Sequence, residues 1–191
     1  MNAIIAGVSG QGDSVFLWDL NTESFIDCEI GFAHESDINS LAFSPNGRFL
    51  LSALDDGTAQ VCHIETGKRL LVLDCHGDWV REAAWCDDGL HIATGSDDGS
   101  IRIWKVDELQ PIMAEISLDP LQIIESAHSG RYVTSVAFGP RGKYLISGGN
   151  DQKVRVWNRV DEEPFFKFEQ KTVFSGHTSS IPKLGSKELK G

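Results

Sequence analysis

The amino-acid sequence predicts an all-β fold assembled from one repeated unit, and three observations carry that prediction. The stretch from His76 to Trp104 has near copies on both sides, with His34 to His76 and Asp56 to Asp98 each a step of 42 residues. A third copy begins at His128, where the steps lengthen to 52 for the histidine and 53 for the aspartate (Asp98 to Asp151), so an insertion precedes it. Apolar residues within each copy run at period two, as in Trp79, Arg81, Ala83 and Trp85 on one side against Val80, Glu82 and Ala84 on the other. That is the spacing of strands and not of helices. Between the strands fall Pro45-Asn46-Gly47, Asp88-Gly89 and Asp98-Gly99, residues that tolerate the positive φ a tight hairpin requires.

Each copy is therefore an antiparallel meander, and a period of about 40–45 residues made of four short strands reads as a propeller blade. The spacing, the turn residues and the terminal tryptophans together resemble the WD40-repeat proteins over about residues 1–177. The resemblance implies a hydrogen-bonded tetrad in each blade that ties a turn aspartate, a histidine, a Ser or Thr and a tryptophan across the strands. The matching residues are His76, Thr94, Asp98 and Trp104 in one copy and His128, Ser147, Asp151 and Trp157 in the next. Such a network makes physical sense, because a half-buried imidazole and a carboxylate satisfy one another while the indole N–H finds an acceptor. The first full copy has His34, Ser52 and Asp56 but Cys62 in place of the tryptophan, so its blade is expected to be less tightly tied.

Taken in order, residues 1–20 read as two strands, AIIAGVS and SVFLWDL, the inner-to-middle part of a blade whose first strand is absent. Full repeats follow at about 21–64, 65–106 and 107–158, and a partial repeat at 159–177. Their outer strands fall at Ser24 to Ile30, Lys68 to Leu73, Leu121 to Ser126 and Phe165 to Phe174. Asp107 to Pro120, with two prolines and several acids, reads as an exposed loop of the kind that can carry function. Gly176-His177 looks like the start of another copy. The remainder, 178–191, is Lys-rich and contains Pro and Gly, so it is expected to abandon the pattern and be disordered.

With 41% hydrophobic and 24% charged residues the composition is that of a globular protein able to bury a core. The longest apolar runs are only strand-length, far short of a membrane span, and the N-terminus lacks the pattern of a secretory signal. An intracellular location is expected, with no membrane partner. Cys28, Cys62, Cys75 and Cys86 show no CxxC pair or ligand spacing and sit in or beside strands, the pattern of buried thiols rather than of disulfides or zinc. A net charge of −11 argues against direct binding to a nucleic-acid backbone and favours basic partners.

Histidines and acids could supply a general acid and base. Yet His34, His76, His128 and His177 occupy one place in successive copies, which a structural role explains at once, whereas an active site would be unique to one copy; no enzyme activity is expected. Asp55-Asp56-Gly57, Asp87-Asp88-Gly89 and Asp97-Asp98-Gly99 lack the alternating acids and terminal Glu of a calcium loop and read as turns. The Gly7, Gly10, Gly12 cluster leads into a strand, so no helix N-terminus is there to hold phosphate. No cofactor and no metal are expected.

What remains is surface recognition. In WD40 proteins the narrow face of the ring is the usual binding surface, and the resemblance carries its positions onto Asp37, Asn39 and Asp55, then Trp79, Arg81 and Asp97, then Tyr132, Thr134 and Asn150. Aromatic and arginine side chains of this kind often dominate interface energetics, and the surrounding carboxylates favour a basic or hydrogen-bonding peptide. The expected function is a non-catalytic scaffold for a protein or peptide partner; the alternative is a truncated piece of a longer WD40 protein without independent activity. The resemblance implies seven blades in a closed ring, but 191 residues at about 42 per blade make about four and a half. The expected form is an open arc of about four blades that self-associates, or pairs with other blades to complete the ring.

Overall fold

The computed structural model describes residues 4–9, 14–26, 36–74, 76–106, 109, 116–162 and 165–184. Among the described residues four sheets, antiparallel but for one short added strand, follow one another along the chain. The first holds β1 (Ile4–Val8), β2 (Val15–Asp19) and β3 (Ser24–Ile26). The second holds β4 (Ile38–Phe43), β5 (Phe49–Leu54), β6 (Thr58–His63) and β7 (Arg69–Asp74). In the third, β8 (Val80–Trp85), β9 (His91–Ser96) and β10 (Ile101–Lys105) are completed, after the short β11 (Ile116–Ser117), by β12 (Gln122–Ile124). The fourth holds β13 (Val133–Phe138), β14 (Tyr144–Gly149), β15 (Val154–Glu162) and β16 (Phe165–Phe174). These are propeller blades set face to face as an arc, and they do not close a ring.

Why the second strand of a blade is so apolar follows from its place between two neighbours. β5 and β9 are buried along their whole length, since each presents one face to the blade before and one to the blade after. One cluster between the first and second blades contains Val15, Leu17, Leu50, Cys62 and Ile64. The next contains Phe49, Leu51, Leu71, Ile92 and Trp104, and the third Ala93, Ile101, Ile103, Val136 and Trp157. A glycine lets the blades approach where a methyl group would collide: a Cβ on Gly95 would lie 2.7 Å from Val133 Cγ1 of the following blade.

Strict alternation fails in the innermost strands. The pairing of β4, β8 and β13 with their neighbours shifts register at Asn39, Arg81 and Thr134, one extra residue in each case. Such a bulge re-aims the side chains beyond it, so Val80 and Ala83, on opposite sides by simple alternation, are both buried.

Two segments depart from the expected loops. Within Asp107 to Pro120, Ile116 and Ser117 pair in parallel with Leu71 and Val72, adding a fifth strand to the second sheet, while Leu109 is buried and Leu118 packs on the same core. Apolar residues scattered among acids and prolines still found a free sheet edge; residues 107, 108 and 110–115 lie outside the description. The tail departs as well. Ile181 is buried on the fourth blade, where a Cβ on Gly148 would lie 2.7 Å from Ile181 Cγ2 and 3.4 Å from Leu184 Cδ1. Thr134 Oγ1 donates to the Ile181 carbonyl, and the Leu184 N–H donates to Ser135 Oγ at 2.8 Å. The repeat explains this docking. Ile181 stands four residues after His177 as Val80 stands after His76, so Pro182 falls at the bulge position, where a proline is tolerated. Cys62 and Cys86 are buried thiols, and burial pushes Cys86 up to about 11, so it stays protonated. Cys28, Cys75, residues 10–13 and 185–191 lie outside the described residues, as does His34.

Candidate interaction face

The blade tetrads fix the loops that carry the candidate site. In the third blade His76 Nδ1 lies 2.9 Å from Asp98 Oδ2 and Nε2 lies 2.7 Å from Thr94 Oγ1, whose oxygen also accepts the Trp104 indole N–H at 3.0 Å. One tautomer satisfies every atom: Nδ1–H donates to the carboxylate and the Thr94 hydroxyl donates to Nε2. Asp98 further accepts from the Gly77 and Ser100 amides at 3.1 and 2.8 Å. Burial raises the Asp98 carboxyl, but the bonds from His76 and Ser100 outweigh it and hold the group well below its ordinary range.

The fourth blade repeats the arrangement. His128 bridges Asp151 at 2.7 Å and Ser147 Oγ at 2.8 Å, and the Trp157 indole donates to Ser147 at 2.9 Å. Arg155 adds a buried contact to Asp151 at 2.6 Å. In the second blade, among the described residues, Ser52 Oγ reaches the Gln60 carbonyl at 3.5 Å, and Asp56 accepts from the Thr58 amide and hydroxyl of its own turn.

Burial lowers the His128 pKa against the pull of Asp151, so the imidazole is neutral in the fold. The unfolded chain then binds more protons below about pH 6.5, and stability is fully present above that value and lost as the pH falls below it. Urea midpoints should therefore drop between pH 7.5 and 5.5, and His128→Gln, which hydrogen bonds but does not titrate, should flatten the drop. An equally steep drop in that variant would contradict this account.

Above the tetrads, the same backbone bond recurs in each blade and brings the rim residues together in threes. The Asp55 amide donates to the Asp37 carbonyl, Asp97 to Trp79, and Asn150 to Tyr132, each at 3.0 Å. Side chains then differentiate the three. Asn39 donates to Asp55 at 2.7 Å and to the Val80 carbonyl of the next blade at 2.9 Å, while Thr134 bonds the Gly148 carbonyl at 3.1 Å. Arg81 forks onto Asp97 at 2.9 and 2.5 Å and lies over the Trp79 ring, 4.5 Å from its centroid. Trp79 is 43% and Tyr132 48% exposed, so each presents a large part of its ring to solvent. Asp37 and Asn150 are exposed and Asp55 partly so.

Sequence reasoning missed the next layer toward the axis of the arc. Ser40 donates to Glu82 at 2.5 Å across two blades, and Lys183 reaches Glu82 at 4.0 Å. Burial raises the Glu82 carboxyl despite the Ser40 bond. Ser40, Glu82 and Lys183 stand six residues after His34, His76 and His177, the one signal that could have found them. No cluster of metal-ligating side chains is present among the described residues.

The family described as "WD domain, G-beta repeat" matches residues 27–62, 67–105 and 119–158. The chain belongs to the WD-repeat family. Among relatives of this WD-repeat chain, apoptotic protease-activating factor 1 of Rattus norvegicus is 35% identical over 132 residues, covering 68% of this chain and 10% of that protein. The guanine nucleotide-binding protein subunit beta of Oryza sativa subsp. indica is 28% identical over 158 residues, covering 78% and 40%. The chain thus spans less than half the length of these relatives. A chain from the crystal structure of the mitotic checkpoint complex has the same fold, with a TM-score of 0.74 at 20% identity over 94% of this chain and 50% of that one.

Proposed function

We propose that this WD-repeat chain is a non-catalytic scaffold that holds a cationic protein segment or peptide on the rim carrying Trp79, Arg81, Asp97 and Tyr132. The observation that carries the reading is Trp79: a large aromatic nearly half exposed, with its rim pinned by the Arg81 fork onto Asp97. A rigid, solvent-facing aromatic contributes binding area at little entropic cost, and residues of this type are the usual anchors of interfaces. Asp97, Asp55 and Asp78 all act on Arg81, so carboxylates outnumber the guanidinium there and complement a basic partner. The relatives support an interaction role through their family. The repeated placement of His34, His76, His128 and His177 supports a structural use of those four groups.

Trp79→Ala and Tyr132→Ala should each weaken binding to a panel of Lys- and Arg-containing peptides by tenfold or more, followed by fluorescence anisotropy at fixed salt. Their melting temperatures should stay close to that of the parent. Unchanged affinity in both variants, or unfolding of both, would overturn the reading.

A further inference from the structure

One turn of the fourth blade carries a residue that its backbone does not favour. The loop from the tetrad histidine to the innermost strand runs from His76 to Val80 in the third blade and from His128 to Val133 in the fourth, one residue longer. The longer loop closes as a tight turn. The Arg131 N–H donates to the His128 carbonyl at 3.0 Å, and Ser129 and Gly130 form the tip at φ values of 56° and 72°. Two central residues at positive φ are the mark of a type I′ turn, whose usual occupants are Asn, Asp and Gly. Gly130 meets that demand. Ser129 does not, so the reason for a serine has to be sought in its side chain.

What reaches the hydroxyl is a buried cation. Arg155 is 5% exposed, and its guanidinium is shared: Nη1 lies 2.6 Å from Asp151 Oδ2, while Nη2 donates to Ser129 Oγ at 3.4 Å. That second bond is long for an N–H donor to oxygen, so the neutral hydroxyl uses little of the charge aimed at it. Ser129, Gly130, Arg131 and Tyr132 are all exposed, and Arg131 brings a second guanidinium two residues on. The third blade shows the same arginine without this arrangement. There Arg102 pairs with Thr94 as Arg155 pairs with Ser147, and it lies 3.5 Å from Asp98. The residue after that histidine is Gly77, which has no hydroxyl to offer.

We propose that Ser129 is a phosphorylation site whose phosphate is received by Arg155 and Arg131. The donor is ATP, delivered by a protein kinase whose acidic substrate groove selects an arginine two residues after the serine. Ser129 Oγ bonds to the γ-phosphorus, the bond from that phosphorus to the β,γ-bridging oxygen breaks, ADP leaves, and the hydroxyl proton passes to the kinase's base. The monoester then carries about two negative charges and three acceptor oxygens. Those oxygens take charge-assisted bonds from both guanidinium groups, stronger than the long bond to the hydroxyl. Because the Arg155 fork has two arms, Nη1 keeps Asp151 while Nη2 turns to the phosphate. The modified turn becomes a latch between the mouth of the arc and the fourth-blade tetrad.

Incubating the full chain with magnesium, ATP and the catalytic domain of a kinase of that preference should add phosphate at Ser129, located by peptide mass spectrometry and absent from Ser129→Ala. In a chain with phosphoserine genetically encoded at position 129, phosphorus NMR should place the second phosphate pKa about half a unit or more below its ordinary value of about 6. Arg131→Gln, an exposed change that leaves the tetrad alone, should return part of that shift. Ser129→Gly should melt close to the parent temperature, because glycine suits the positive φ and the hydroxyl is not needed by the fold. Three results would each overturn the proposal: no transfer to Ser129 of the folded chain, an ordinary phosphate titration, or a clear loss of stability in Ser129→Gly. None of these readouts involves the Trp79 rim, so the two proposals fail separately.

Discussion

Trp104→Ala should lower the unfolding free energy by about 3–5 kcal/mol, the range for truncating a large buried aromatic. The side chain is fully buried among Phe49, Leu51, Leu71 and Ile92, between the second and third blades. Its removal opens a cavity at that junction and takes from Thr94 the indole donor that the hydroxyl oxygen accepts. Trp157→Ala should behave similarly, since Trp157 is 5% exposed and bonds Ser147 in the same way. Cys62 holds the corresponding place in the second blade, and Cys62→Ala should cost only about 1 kcal/mol because so little volume is lost. Urea titration of the three variants tests the order; equal costs for Trp104 and Cys62 would show that the tryptophan position does not tie the blade.

The second large effect is expected at the turn aspartates. Asp98→Ala removes the acceptor of the His76 imidazole and of two backbone amides in a site where the histidine is wholly buried. Leaving such donors unmet costs about 1–3 kcal/mol, and Asp151→Ala, which also strands Arg155, should fall in the same range. Asp56→Ala should cost less, because Asp56 is exposed and Cys62 stands in that blade where the others have the tryptophan. The pH dependence separates the causes. The Asp98 carboxyl is held low in the fold, so its stabilisation is present above about pH 3.9 and disappears as acid protonates the unfolded chain first. Parent and Asp98→Ala curves should converge toward pH 2, and a constant gap between them would point to lost packing instead.

The blade plan was legible because it repeats: a 42-residue step, paired turn glycines and period-two strands all say the same thing, and β16 begins and ends where the apolar pattern of Phe165 to Phe174 does. Three features were not. The bulges at Asn39, Arg81 and Thr134 leave no mark in composition, since an extra residue in a strand is visible only against its partner strand. The pairing of Ile116–Ser117 with β7 is a two-residue contact decided by an available edge rather than by any local pattern. The docking of 178–184 was hidden by Pro182, which reads as a strand breaker until it is placed at a bulge. For the rim, sequence could bring Trp79, Arg81 and Asp97 to one neighbourhood through the repeat. It could not show that the guanidinium would turn back onto its own blade, whereas Asn39 reaches across to the next.

The bulge also divides labour within the innermost strand. A bulged residue stands outside the pairing ladder, so its side chain can change while the residues on either side keep their partners and their burial. Along this chain that single place is held in turn by an amide, a guanidinium, a hydroxyl and an imino acid, at Asn39, Arg81, Thr134 and, by repeat position, Pro182, while its preceding neighbours Ile38, Val80, Val133 and Ile181 are all branched aliphatics. Selection can therefore vary chemistry at the mouth of the arc one residue per blade without trading it against folding, which lets a scaffold of near-identical units present a surface on which no two units read alike.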